Sequence, residues 1–267
     1  MKLTMLGTGN ALSTEYYNSS FILDENGNYL LVDGGGGSTL LSRLKYAGYQ
    51  WKDIKTVFVT DGNVNHSLGV IYLMKLVAHA CLEDCYMGEL TIYAGKDTAE
   101  VLKDAAKAIL PKKENAFVGK KIIFIPMKNG DARRVYGHYV TFFDTGSRDI
   151  QKFGFTMTLT GDSKLTYTGE MPYNASEENF VIGSDWLVHS AYCLDSEAAV
   201  ANPKAQGLCT VKEACGFAEL LKVKNLILTN TDDEHKEDRK QVFTDEADQY
   251  FHGNVYVPDE LESIKID

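Results

Sequence analysis

The chain has 267 residues, 44% of them hydrophobic and 24% charged, enough to close a sizeable core without disulfides or metals. Its formal net charge of −10 opposes a phosphate backbone, because non-specific nucleic-acid affinity comes mainly from Lys and Arg. Cys81, Cys85, Cys193, Cys209 and Cys215 form no disulfide framework, the opening Met1-Lys2-Leu3-Thr4 lacks a signal peptide's apolar stretch, and no run reaches the ~18 apolar residues of a membrane span, so a reduced cytoplasmic protein with no membrane partner is expected.

Lys2 to Leu6, Ser19 to Leu23 and Tyr29 to Val32 read as strands, the last two joined by the turn Asp24-Glu25-Asn26-Gly27-Asn28. Gly7-x-Gly9 invites a nucleotide site, but no helix follows at the needed offset and no third glycine completes the fingerprint. Asp33 then precedes Gly34 to Gly37 and a helix from Ser38 to Ala47, with Leu40, Leu41 and Leu44 at helical spacing. A P-loop's Lys and Ser/Thr are missing here, so tight packing of the turn beneath a site is expected.

Val57-Phe58-Val59 reads as a buried strand ending at Thr60. The polar side chains of Asp61, Asn63, Asn65 and His66 follow before an apolar helix from Leu68 to Ala80, which describes a ligand-bearing loop at a strand's carboxyl end. Beyond it come a strand at Leu90 to Tyr93, a helix at Thr98 to Leu110, a strand at Lys121 to Pro126, several strands between Tyr136 and Tyr167, a helix at Val211 to Leu221 and a strand at Asn225 to Thr229. No linker or repeat divides this order, so a single domain over residues 1–267 is expected. The run from Asp232 to Lys240 mixes both signs of charge and reads as solvated surface.

The stretch Thr60-Asp61-Gly62-Asn63-Val64-Asn65-His66-Ser67-Leu68-Gly69 resembles the Thr-His-x-His-x-Asp-His-x-x-Gly of the metallo-β-lactamase superfamily. Thr60, His66 and Gly69 match, whereas Asp61 and Asn63 stand at two His positions and Asn65 at the Asp position. Leu3-x-x-Leu6-Gly7-Thr8-Gly9, Leu31-Val32-Asp33-Gly34-Gly35 and Phe153-Gly154-Phe155 resemble the ribonuclease Z branch in particular. Upstream of Phe153, where that branch has a metal-binding His, this chain has Ser147, Arg148 and Asp149, and the next strand follows too soon for the branch's tRNA-docking arm. The resemblance implies an α/β fold of the metallo-β-lactamase type, an αββα sandwich of two mixed sheets packed face to face with helices outside.

Four further segments carry the resemblance to about Asp233. Glu170 stands for an Asp that bridges two metals, and Asn230 for the last metal-binding His. Trp186 to Ala191 keeps His189, and Leu208 replaces a His proposed as proton donor. The extra methylene of Glu170 shifts its carboxylate, while metal sites tolerate errors of only about 0.2 Å without backbone adjustment. Asp33, His189 and Leu208 are expected around the pocket. A dinuclear hydrolytic centre needs imidazoles and carboxylates to bring a bridging water's pKa toward ~7, and the positions Asp61, Asn63, Asn65, His66, Glu170 and Asn230 offer one imidazole and two carboxylates.

The leading expectation is therefore a relative without a catalytic residue or cofactor, acting by binding a small-molecule ligand or by assembly. An alternative is an ester or phosphodiester hydrolase in which Asp61, His66 and Glu170 hold one divalent metal ion (Mn, Mg or Zn). A coincidental match is the third reading. The helix after His66 is apolar over most of its circumference, and together with the resemblance this leads to the expectation of a homodimer. tRNA is not an expected partner.

Overall fold

The computed structural model describes residues 1–147 and 150–266. Arg148 and Asp149, singled out above, lie outside the described residues.

Two seven-stranded sheets form the two inner layers. The first contains β1 (Lys2–Gly7), β2 (Ser20–Glu25), β3 (Asn28–Val32), β4 (Thr56–Val59), β5 (Leu90–Gly95) and β6 (Ile122–Met127) in that order. The second contains β7 (Ala132–Val135), β8 (His138–Asp144), β9 (Phe153–Thr158), β10 (Lys164–Tyr167), β11 (Trp186–Ser190), β12 (Asn225–Thr229) and β13 (Asn254–Tyr256), and β14 (Ser263–Lys265) returns to the first sheet beside β1. Each sheet is antiparallel at one side and parallel at the other: β3 to β6 are parallel, as are β10 to β13. The paired sheets and outer helices are those the resemblance implied.

The side-chain alternation of a strand explains the layering. In β4, Val57 and Val59 face the helices α1 (Thr39–Tyr46), α2 (Val64–Leu82) and α3 (Lys96–Ile109), while Phe58 faces the other sheet. There its ring stacks on Phe142 at 5.5 Å and meets Phe155 edge-on at 5.2 Å. On the far side, α4 (Val211–Leu220) and α5 (Arg239–Ala247) cover Leu187, Leu226 and Leu228.

Two expectations need correction. Helix α2 begins at Val64, not Leu68, so Asn65 and His66 sit on its first turn rather than in a loop. The apolar periodicity missed this turn because its polar side chains face the buried rim of the sheets, where hydrophobic spacing gives no signal. The charge run is not uniformly solvated either. Arg239 is buried, donating to Thr8 Oγ1 at 2.7 Å and to the carbonyl of Pro258 at 2.6 Å, and Asp232 is buried too.

The glycine turn does pack beneath the site. Gly34 N–H donates to the carbonyl of His66, and Gly69 N–H to that of Gly35, so two chain segments touch backbone to backbone. A Cβ on Gly69 would lie 1.7 Å from Gly34 O. Gly69→Ala is therefore expected to cost about 3 kcal/mol or more, because backbone must move. Gly216, exposed within α4 and with open space around it, should instead gain up to about 1 kcal/mol as Ala through helix propensity. Urea unfolding of both variants checks the contrast; equal effects would contradict the packing described.

Candidate metal-site cluster

The carboxyl ends of the parallel strands meet at one rim, and the expected site residues follow them directly. Asp33 comes after β3, Asp61 after β4, Glu170 after β10 and Asn230 after β12. A backbone hydrogen bond from Phe153 N–H to the carbonyl of Thr60, 3.0 Å, ties the start of β9 to the end of β4 across the two sheets. That bond brings Lys152 alongside Asp61.

Asp33 is the anchor. Its Oδ1 accepts from Thr60 N–H at 2.8 Å, and its Oδ2 accepts from Thr60 Oγ1 at 2.6 Å and from Tyr167 OH at 3.2 Å. Asp33 reaches this position with a left-handed φ of 58°, a conformation that short polar side chains tolerate better than most. His66 lies against it, Nδ1 at 3.1 Å from Asp33 Oδ2. The other ring nitrogen, Nε2, is 3.2 Å from Glu170 Oε2 and 3.8 Å from Asp61 Oδ2. The Asn65 amide joins them, 2.9 Å from His66 Nε2 and 3.2 Å from Glu170 Oε2. Lys152 completes the group, its Nζ donating to Glu170 Oε1 at 2.6 Å and lying 3.5 Å from Asp61 Oδ2.

The electrostatics follow from this geometry. Burial disfavours a charged His66, yet the carboxylates of Asp33, Asp61 and Glu170 outweigh it and hold the imidazole pKa well above its usual value. Burial likewise works to raise Glu170, but His66 and Lys152 hold it well below the carboxylate range. Lys152, desolvated but facing Glu170 and Asp61, has a raised pKa. Asp61 Oδ2 is buried with only these ionic neighbours and no hydrogen bond.

The structure thus joins Asp61, Asn65, His66 and Glu170 with Asp33, and leaves the other expected positions apart. Asn63 is half-buried and lines a cleft of about 590 Å³ with Lys152, Tyr173, Asn174, Lys204 and Gln206. Asn230, at a left-handed φ of 63°, donates to Ser190 Oγ at 3.1 Å while its Oδ1 has no partner. His189 is a buried histidine, Nδ1 at 2.5 Å from Thr168 Oγ1 and Nε2 at 3.8 Å from Cys209 Sγ, and burial pushes its pKa down to about 4. Leu208 is buried beside Gly207, a cleft residue. Lys152 is the residue that the sequence reading missed. Its one signal was a long cation immediately before the apolar strand at Phe153.

These residues do not fit a dinuclear metal centre. The one imidazole at the expected positions already faces a carboxylate from each nitrogen, three of those positions offer only neutral amides in Asn63, Asn65 and Asn230, and an ammonium lies 2.6 Å from the carboxylate that should bridge two ions. A single-ion reading retains one geometric support: donor atoms of Asp61, His66 and Glu170 lie within 4.8 Å of one another.

A family model for the anti-Pycsar protein Apyc1 matches residues 1–198. Among solved structures, the chain is similar to the metallo-β-lactamase fold protein YhfI from Bacillus subtilis, with 18% identity, 98% of each chain covered and a TM-score of 0.78. It is also similar to the short form of human tRNase Z, with 18% identity, 100% of each chain covered and a TM-score of 0.75, and to a diphosphatase of the PhnP family, with 16% identity, 98% of this chain and 96% of that one covered and a TM-score of 0.72. These likenesses show the metallo-β-lactamase αββα fold. No curated protein matches the sequence.

The two buried histidines should titrate in opposite senses. The unfolded chain releases the His66 proton near pH ~6.5 while the folded protein keeps it, so the His66 contribution is full below that pH and declines as pH rises through the folded value. The His189 contribution is full above ~6.5 and declines as pH falls toward about 4, at roughly 1.4 kcal/mol per pH unit. Imidazole NMR is expected to show His66 charged at pH 7.5 and His189 still neutral at pH 5.5; a neutral His66 at pH 7.5 would contradict the cluster.

Proposed function

The chain belongs to the family of the anti-Pycsar protein Apyc1, and from that premise we propose that it binds a cyclic nucleotide without hydrolysing it, as a non-catalytic member of a hydrolase fold. The family suggests a cyclic-nucleotide-degrading role, and the cleft beside the cluster is in the size range of small-molecule sites. The observation that carries the absence of turnover is the state of His66. With Asp33 at 3.1 Å from one nitrogen and Glu170 at 3.2 Å from the other, its surroundings favour the imidazolium, the form that neither holds an ion nor takes a proton from water. Leu208, at the position of the family's proton donor, cannot protonate a leaving group.

In this reading the rim recognises and does not react. Lys152 supplies a cation at the cleft floor, Asn63, Asn174 and Gln206 supply neutral donors, and the Tyr173 ring offers a face for a base. The second reading, a hydrolase with one Mn, Mg or Zn ion held by Asp61, His66 and Glu170, rests on the convergence of those three donors. Assembly belongs to the proposal as well. Leu68, Tyr72 and Ile109 are 37%, 48% and 64% exposed around an apolar groove of about 530 Å³ on the α2 and α3 face, and a homodimer would bury them.

Calorimetric titration with 3′,5′-cyclic mononucleotides of each base, followed by chromatography of the mixtures with and without added Mn²⁺ or Zn²⁺, tests the main reading. Binding with no product is expected. Product that accumulates with time and disappears in Glu170→Gln would establish the single-ion hydrolase instead. Light scattering at micromolar concentration should give twice the 29.7 kDa chain mass, and Tyr72→Glu should return it to one; a wild-type monomer would refute the dimer.

A further inference from the structure

Buried carboxylates at one rim require positive charge close by, because an ionised group removed from water must be paired or neutralised. Asp33 and Asp61 are fully buried, and the Glu170 side chain is 11% exposed. The cations that meet them here belong to the chain itself. Glu170 is the informative residue, since its position corresponds to the carboxylate that bridges two metals in the resembled family. Each of its two oxygens faces a different cation: Oε1 accepts from Lys152 Nζ at 2.6 Å, and Oε2 lies 3.2 Å from His66 Nε2. Asp61 touches the same two groups, Oδ2 at 3.5 Å from Lys152 and 3.8 Å from His66. The bridging geometry is present, with an ammonium and an imidazole as the bridged groups.

We propose that the Lys152 ammonium is a built-in cation standing in the place of a metal ion, and that it bars a divalent ion from Asp61, His66 and Glu170. An ion bound to Glu170 at an ordinary metal–oxygen distance of about 2.0–2.2 Å would stand beside the ammonium in a site almost closed to water. Like charges at that separation repel strongly where solvent does not screen them. The Phe153–Thr60 bond fixes the backbone beside Lys152, and its side chain, held by Glu170 and Asp61, is only 11% exposed. Removing the ammonium leaves Asp61 and Glu170 one positive charge short, and a divalent ion in its place supplies that charge and lets His66 release its proton to become the third donor of a single-ion site. The inference rests on the non-catalytic reading for its premise, but its test reads ion binding and not turnover, so each can fail alone.

The test is calorimetric titration of Mn²⁺ and Zn²⁺ into chelator-treated protein. All variants carry Cys193→Ser, because Cys193, Glu197 and Asp232 form a separate group with converging donors. Protein retaining Lys152, and Lys152→Arg, are expected to take up no stoichiometric ion. Lys152→Met, which keeps the length of the stem and removes the charge, is expected to bind one ion per chain, and adding Glu170→Gln to it should weaken that binding at least tenfold. Stoichiometric uptake by the Lys152 protein that Glu170→Gln abolishes, or a folded Lys152→Met protein that takes up nothing, would overturn the proposal. If Lys152→Met is unfolded without metal, a circular-dichroism melt should show refolding on addition of Mn²⁺; a chain that stays unfolded in Mn²⁺ also counts against it.

Discussion

The buried carboxylates of Asp33, Asp61 and Glu170 are the constraint that the rim of this fold must satisfy. They arrive from both sheets, Asp33 and Asp61 from the first and Glu170 from the second, so the charges that neutralise them also join the sheets. His66 does this from the first turn of α2, touching Asp33 on one side and Glu170 on the other. Lys152 does it from the start of β9, spanning Glu170 and Asp61. Removing one partner from such a buried pair costs about 3–5 kcal/mol, because the remaining charge is left unpaired. The cluster thus joins the two layers at the rim, as the Phe58 contacts with Phe142 and Phe155 do in the core.

Asp33 shows how the protein's own groups hold the scaffold. Thr60 satisfies it through both backbone N–H and hydroxyl, and Tyr167 adds a third hydrogen bond from the opposite sheet. The glycine turn that follows is held by carbonyls of the α2 start and of its own backbone, through Gly34 to His66 and Gly69 to Gly35. None of these contacts involves the positions where imidazoles are replaced. A frame built from backbone hydrogen bonds and close glycine approach is insensitive to whether the side chains above it grip a metal or an ammonium.

Much of this was legible in the sequence because frames are local. The strand at Val57 to Val59, the abrupt polar change at Thr60 and the spacing to His66 and Gly69 specify a turn wherever the chain places them, and Asp33-Gly34-Gly35 carries its own turn chemistry. Lys152 was not legible in the same way. Its importance comes from the Phe153–Thr60 bond between strands almost a hundred residues apart, and a Lys before an apolar strand reads as an ordinary surface cap. Arg239 was missed for the same reason: its burial depends on Thr8 and Pro258, distant in sequence, while its neighbours Lys236 and Lys240 are exposed. His189 shows the converse. Its neighbourhood matched a motif, yet its contacts with Thr168 and Cys209 make it a neutral buried histidine outside the charged cluster.

The charge state of the cluster also limits how the cleft can hold an anion. An ammonium has three donors; Lys152 gives one to Glu170 at 2.6 Å and leans toward Asp61 at 3.5 Å, and Lys152 also lines the cleft. A phosphodiester entering there meets a cation already compensated by two carboxylates, so it gains orientation from Lys152 more than net attraction. The other cleft lysine, Lys204, lies 3.3 Å from Glu213 and is 81% exposed, where solvent screens it. Affinity must then come chiefly from shape, from the neutral donors Asn63, Asn174 and Gln206 and from the Tyr173 ring. In the proposed binding role, such a site discriminates by the whole ligand and not by its charge. A binder that retains its ligand intact is what this combination of a compensated floor and a neutral wall favours.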